Sequence, residues 1–368
     1  MLDLRFIREH PDEVRGDLAK LYVEAPLDEL LALDERHRAL LGEVEELRAA
    51  RNAGSKEVGK LRDAAERERR IAEMRALGDR VAERETELAV VKARLDAALL
   101  ELPNLPDPDV PVGKDEAENV VTRYWAPDGA GAPPALRAPV RLDEWEATIQ
   151  PAFERYWRER GGCAFEPKPH WNLGPALGLI DFERGVKVSG SRFYFLKGLG
   201  AKLQRAVIAW MVDLHVAQGY TEVYPPYLVR TEALVGTGQL PKFADNQYHD
   251  APSDLWLIPT AEVPVTNMHR DEILEPGTLP LDYVAYSACF RREQFSAGRD
   301  TRGIKRGHQF DKVEMVKFAA PDASDAALAA LVGDAAAVLE ALAIPYRVVQ
   351  MCTGDLSFTA AKKLDLEA

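Results

Sequence analysis

From Leu30 onward, small or apolar residues recur at alternating steps of three and four: Leu30, Leu33, Leu40, Val44 and Leu47, then Val58, Leu61 and Ala65. Charged residues fill most of the intervening positions, which is the pattern of a helix with one narrow apolar seam. His37, Arg51 and Gly54 fall in the same register and interrupt it. A second run reads Met74, Leu77, Val81, Leu88, Val91, Leu95, Ala98 and Leu102, with Arg84 in its seam. Sustained heptads of this kind predict coiled-coil helices. Two geometries fit, because no Gly-Pro or Asn-Gly pair marks a reversal. One helix of about 75 residues would reach roughly 110 Å at about 1.5 Å per residue and serve dimerisation. An antiparallel hairpin turning near Ala65 to Ile71 would bury its own seam, and it is the geometry expected here.

The Pro-rich stretch from Leu102 to Gly113 ends the second run, because proline removes a helix donor and forces its predecessor out of the α region. A domain boundary is expected there. Beyond it, helices alternate with short strands without a repeating βαβ pattern, predicting an α+β domain. Ala126 to Pro139, rich in Gly, Pro and Ala, reads as a flexible insertion. Leu199 to Gln218 has helical periodicity, and Gly219-Tyr220-Thr221-Glu222-Val223-Tyr224-Pro225-Pro226 turns into an apolar strand that ends at proline. Tyr346 to Met351 reads as a strand and Cys352 to Leu356 as a turn.

At 368 residues with 46% hydrophobic positions, the chain has room for two or three domains and a substantial core. No apolar run approaches the roughly 20 residues of a membrane span, and Met1-Leu2-Asp3-Leu4-Arg5 lacks the order of a signal peptide. A cytoplasmic protein with no membrane partner is expected. The three cysteines, Cys163, Cys289 and Cys352, stand in no ligand spacing, so no resident metal is expected. A net charge of −13 argues against coating nucleic acid nonspecifically, and DNA is not an expected partner. The first helical region departs from that balance, with nine basic against five acidic residues between Arg48 and Arg75. Arg48, Arg51, Lys56, Lys60, Arg62, Arg67, Arg69 and Arg70 would lie on the distal part of the hairpin. A solvated face is the ordinary reading of such charge. A rigid basic probe for double-stranded RNA is the alternative.

The chemistry concentrates in Cys289-Phe290-Arg291-Arg292-Glu293, continuing to Arg306-Gly307-His308-Gln309-Phe310-Asp311-Lys312-Val313-Glu314. In an extended strand Arg291 and Glu293 would share a face, offering a cation to phosphate and a carboxylate to a base or amine. Phe310 on the returning strand would supply an aromatic plate. An isolated Arg-x-Glu is more often a solvated hairpin. The whole order, however, closely resembles motif 2 of class II aminoacyl-tRNA synthetases: Phe-Arg-x-Glu, a loop, then Arg/His-x-x-x-Phe. The loop wording narrows the resemblance to seryl-tRNA synthetases. His170 to Gly174, Leu179 to Phe193 and Gly236 to Phe243 are also worded like that family.

The resemblance implies an antiparallel sheet flanked by helices, divided as a coiled-coil arm (1–102), a linker (103–113) and a catalytic domain (114–368). It implies activation of serine with ATP and Mg2+, then transfer to tRNA(Ser), with tRNA(Sec) as a further acceptor. Arg291 would clamp the α-phosphate and contact serine, Glu293 would accept from the adenine amino group, and Phe310 would stack on the ring. Arg292 and Arg306 complete the implied ATP set. Arg299, Arg302, Lys305 and Arg306 are candidates for the outer phosphates and the tRNA acceptor end. Thr260, Ala261 and Glu262 match the family's Thr-x-Glu element for the substrate amine, and Glu314 matches a carboxylate that contacts the serine side chain. Arg48, Arg51, Lys56, Lys60 and Arg62 would grip tRNA. Pro226 takes the place of the motif 1 proline, which implies a homodimer.

Departures gather at the end of the chain. The family's Glu-Ile-Ser-Ser element and motif 3, Gly-Leu-x-x-x-Arg, have no match here. Leu364 stands where tyrosine is common, and Arg292 where serine is. An incomplete synthetase chain is the expectation, favoured because Ala368 would leave a core strand edge open. A shortened relative that binds tRNA or regulates is the rival. A carrier-protein-charging relative is the weaker third, since such a role needs no basic arm.

Overall fold

A computed structural model describes residues 2–127, 138–152, 154–155, 168–294 and 302–368. Cys163, Arg299 and most of the Ala126–Pro139 stretch lie outside the described residues. The chain divides into two compact units, Met1–Val112 with Leu356–Ala361, and Gly113–Asp355 with Lys362–Ala368.

The first unit is helical. Two short helices, α1 (Leu4–Glu9) and α2 (Pro11–Lys20), precede the long pair α3 (Leu27–Val58) and α4 (Ala64–Leu100). Ile7, Val14 and Leu18 join Leu30, Leu40, Leu95 and Ala98 in one buried cluster at the base of the pair. The Pro-rich stretch belongs to this unit: Leu105 and Leu356 pack against the cluster, and the Asn104 N–H donates to the Phe358 carbonyl at 2.9 Å. The hairpin forms, but its turn is Gly59–Asp63 and not Ala65–Ile71. Two local signals place it there. Gly59 caps α3, and the Asp63 carboxylate accepts from the Glu66 N–H at 2.8 Å, so α4 begins on a side-chain cap. Gly54 does not break the seam. It is buried, and a Cβ at this position would run into the Met74 sulfur, so the absent side chain makes room for a long one opposite.

The described residues of the second unit form four sheets. β1 (Val120–Trp125) and β2 (Val140–Arg141) join two late strands, β3 (Ile180–Asp181) pairs with β4 (Phe195–Leu196), and β5 (Thr221–Val223) belongs to the site sheet. β6 (Leu228–Arg230), β7 (Tyr248–Asp250) and β8 (Leu255–Leu257) form a sheet of order β6-β8-β7. The site sheet has order β10-β9-β5, built on the hairpin of β9 (Leu281–Phe290) and β10 (Gln309–Phe318). β11 (Tyr346–Gln350) and β12 (Leu364–Glu367) complete the sheet β12-β11-β1-β2. Among the described residues, every pairing is antiparallel except that of β5 with β9.

Register assigns the two faces of the long hairpin. Phe310, Lys312 and Glu314 stand opposite Cys289, Ser287 and Ala285, and the period of two puts all six on one face. The other face presents Val284, Tyr286, Asp311, Val313 and Met315. Val284 packs with Val212 of the helix Leu199–Ala217 and with Tyr220, while the Tyr286 hydroxyl donates to Asp311 at 2.7 Å. One face is thus committed to the core, leaving the other for chemistry.

Candidate active site

Small residues make the floor. Ala285, Ser287 and Cys289 are buried beneath the longer side chains of β10, so Phe310, Lys312 and Glu314 rise side by side. Burial pushes the Cys289 thiol above its ordinary range, against the pull of nearby Lys312 and Arg291, so it stays a packing group.

Arg291 and Glu293 do not share a face of an extended strand, which corrects the expectation from their spacing. β9 ends at Phe290. The Arg291 N–H still donates to the His308 carbonyl at 3.0 Å, but the Arg292 N–H donates to the Asn246 carbonyl at 3.0 Å, and Glu293 adopts a left-handed φ of 51°. A neighbouring loop has captured the backbone and turned it out of the ladder. Glu293 is held on both sides, by Arg306, whose guanidinium lies 3.5 Å from its carboxylate, and by Arg192, which donates to its carbonyl at 3.0 Å. Sequence reasoning missed Arg192, which itself sits at φ 63°; only its place after Gly190-Ser191 hinted at a turn.

Arg291 lies over the Phe310 ring, 5.0 Å from its centroid, with Nε 3.4 Å from the Pro259 carbonyl. Arg292 is exposed and turns to Tyr248, its guanidinium 5.2 Å from that ring. These two neighbouring cations therefore serve different surfaces.

Beyond β8, the chain crosses to the site because the Phe290 N–H donates to the Ile258 carbonyl at 2.9 Å. Two residues later Thr260 Oγ1 lies 2.5 Å from Glu314 Oε2 and 2.7 Å from Lys312 Nζ. Lys312 Nζ is also 2.6 Å from Glu314 Oε2. Ala261 is buried against Val265 and Ala285, so its side chain supports the pocket from behind. Glu262 opens the short helix Glu262–Thr266 with solvent at its side, yet protein atoms crowd its carboxylate. That lost hydration and the Glu314 charge raise its pKa, with Lys312 and Arg291 opposing. Lys312 was missed by sequence reasoning, although it falls midway between Phe310 and Glu314 at the strand period.

Known proteins resemble this chain in sequence and fold. The family model for the seryl-tRNA synthetase N-terminal domain matches residues 1–106, and that for the class II core domain of Gly, His, Pro, Ser and Thr synthetases matches residues 243–368. The serine–tRNA ligase of Thermomicrobium roseum is 61% identical over the whole chain, which covers 76% of that protein. The chain belongs to the seryl-tRNA synthetase family. The serine–tRNA ligase of Roseiflexus castenholzii is 55% identical, with the chain covering 79% of its length. The crystal structure of seryl-tRNA synthetase from Pyrococcus horikoshii complexed with ATP superposes with a TM-score of 0.84 at 39% identity, covering all of this chain and 80% of that one. A cytoplasmic serine–tRNA ligase from Naegleria fowleri in complex with AMP gives a TM-score of 0.77 at 26% identity, over all of this chain and 78% of that one.

In this seryl-tRNA synthetase fold the helical unit sorts its cations into two kinds. Arg48 is paired with Glu85 across the hairpin at 2.7 Å, and Arg70 bridges Glu57 and Glu73 at 2.6 and 2.7 Å. Those arginines clamp α3 to α4. Arg51 is half-buried, while Lys56 precedes the turn and Lys60 and Arg62 lie within it, all three exposed and without an ion-pair partner among the described residues. Magnesium would enter with ATP, whose phosphates supply hard oxygen ligands themselves. The described residues add no cluster of three or more His, Cys, Asp or Glu side chains to hold it. No helix among them is long and apolar enough to cross a membrane.

Proposed function

We propose that this chain activates serine with ATP, giving seryl adenylate and pyrophosphate, and passes the seryl group to tRNA(Ser), with tRNA(Sec) as a further acceptor. The observation that carries the reading is a polar cluster of Thr260, Lys312 and Glu314, with Glu262 beside it, next to an arginine that rests on Phe310. A serine carboxylate is ionised at neutral pH and needs no general base; what it needs is position and positive charge at the α-phosphate. Arg291 supplies that charge by leaving the Phe310 ring, which frees the ring for adenine. Glu293 accepts from the adenine amino group while Arg306 neutralises its outer side, and Arg302 and Lys305 add charge for the outer phosphates or the tRNA acceptor end. As the carboxylate oxygen bonds to phosphorus, the α–β bridge breaks and pyrophosphate departs with its electrons.

Glu262 receives the serine ammonium and Glu314 the serine hydroxyl. Alanine would leave Glu314 unpaired and is penalised, whereas threonine must be excluded by lack of room for its methyl group. The arm carries tRNA through Lys56, Lys60 and Arg62 at its turn, supported by Arg48 and Arg51. A second copy of the chain covers the apolar surface formed by Leu173, Leu177, Val188, Phe195, Leu199 and Leu203. Leu177, Val188, Leu199 and Leu203 are each more than 60% exposed there. Exposed apolar side chains gathered in this way are a common mark of a protein–protein contact. ATP and serine meet in the cytoplasm, where the reaction would run.

The test is serine-dependent exchange of pyrophosphate into ATP, with alanine and threonine as controls and tRNA binding measured in parallel. Exchange specific to serine supports the reading. Retained tRNA binding without exchange would mean a catalytically impaired synthetase fragment or a tRNA-binding or regulatory relative, and supplying a family-like C-terminal segment would separate the two.

A further inference from the structure

The hydrogen bonds around Thr260 assign a job to Lys312. A hydroxyl has one proton to give and two lone pairs to receive. Thr260 Oγ1 lies 2.5 Å from Glu314 Oε2, 2.7 Å from Lys312 Nζ and 3.2 Å from the Glu262 backbone nitrogen. The proton goes to the carboxylate, and the lone pairs accept the ammonium and the N–H. Nothing remains for an incoming amine. Lys312 closes the triangle with its own 2.6 Å contact to Glu314.

The charges facing this pocket come from three elements. β10 contributes Lys312 and Glu314, the helix start contributes Glu262, and the end of β9 contributes Arg291, with the neutral Cys289 thiol on the floor. Two cations meet two anions. A zwitterionic amino acid leaves that balance unchanged, whereas an amine without a carboxylate adds a net positive charge.

We propose that Lys312 is a positioning and specificity-determining residue of the amino-acid pocket. Its ammonium braces Thr260 against Glu314 and keeps the pocket neutral, so that a zwitterion is accepted and a cationic amine of the same shape is refused. This rests on the serine-activation reading and goes beyond it, because it assigns Thr260 an indirect role and gives the direct contacts to Glu262 and Glu314. Lys312 opposes the upward push on the Glu262 carboxyl. Its removal should therefore raise the pH at which Glu262 ionises.

The experiment compares the intact chain with Lys312→Met and Lys312→Arg. Calorimetric binding of serine and of serinamide is measured at one ionic strength, and the Glu262 carboxyl carbon is titrated by NMR. Lys312→Met is expected to shift the serine-to-serinamide preference roughly tenfold or more toward serinamide and to move the Glu262 titration upward. Lys312→Arg keeps the charge and is expected to retain both properties in large part, which a merely space-filling lysine would not predict. Unchanged preference and unchanged titration in Lys312→Met overturn the proposal. A parent chain that binds serine and exchanges pyrophosphate upholds the functional reading whatever Lys312 does. A parent chain that does neither refutes that reading and the lysine proposal with it.

Discussion

The Arg291 guanidinium lies over the face of Phe310, 5.0 Å from the ring centroid. The two groups expected to hold opposite ends of an adenylate are thus in contact with each other. Such a cation–π contact is worth about 0.5–2 kcal/mol, small enough for a triphosphate to outbid. Arg291→Ala is expected to lower pyrophosphate exchange by about 10²–10³-fold while tRNA binding is retained. Phe310→Leu should instead raise the KM for ATP roughly 3–10-fold, the worth of one aromatic stacking contact. Steady-state exchange kinetics of the two variants check both expectations; parallel loss of tRNA binding in Arg291→Ala would indicate misfolding.

The arm carries both ion-paired and exposed cations. Replacing Lys56, Lys60 and Arg62 together by alanine should weaken tRNA binding and flatten its salt dependence, by about one unit of slope for each phosphate no longer neutralised. Arg48→Ala removes a partner of Glu85 and should act mainly on hairpin stability, by no more than about 1 kcal/mol for an exposed pair. Filter binding across a salt series, with thermal melts alongside, distinguishes these effects.

Gly54 and Met74 form a complementary pair in the seam. Gly54→Leu should destabilise the hairpin by about 1–3 kcal/mol through overpacking, and Met74→Ala in the same chain should recover much of the loss. Circular-dichroism melts of the single and double variants provide the check.

Glu262 carries a pH signature. Its folded pKa is raised above the unfolded value, so the native state holds the proton more tightly. The associated stability is present below the ordinary carboxylate pKa and is lost as pH rises through the raised folded value. Glu262→Gln should therefore raise the melting temperature at neutral pH relative to acid pH, while abolishing serine-dependent exchange. A variant that melts like its parent at every pH would show that Glu262 carries no such penalty.

The apolar surface yields an assembly test. Leu199→Asp with Leu203→Asp places charge on two strongly exposed leucines of the helix Leu199–Ala217. Light scattering should show a dimeric parent and a monomeric variant whose circular dichroism is unchanged.

Linear patterns made much of this protein legible. The seam from Leu30 to Leu102 specified the helical pair because a heptad leaves a helix one way to bury its apolar stripe. The turn escaped, since Gly59 and Asp63 carry ordinary capping signals that count only once both helices are in register. Phe310, Lys312 and Glu314 could be put on one face by the strand period alone.

Local sequence determined the elements, the turn chemistry and the side chains available to the site, because those depend on neighbours within a few residues. Only tertiary structure decided that Asn246 draws Arg292 out of the strand, that Arg192 anchors Glu293, and that Lys312 meets Thr260 across 52 residues of chain. Each of these contacts joins segments far apart in sequence. No periodicity records such encounters; they exist because packing one face of the hairpin on the core brings the other face against loops that the chain reaches by different routes.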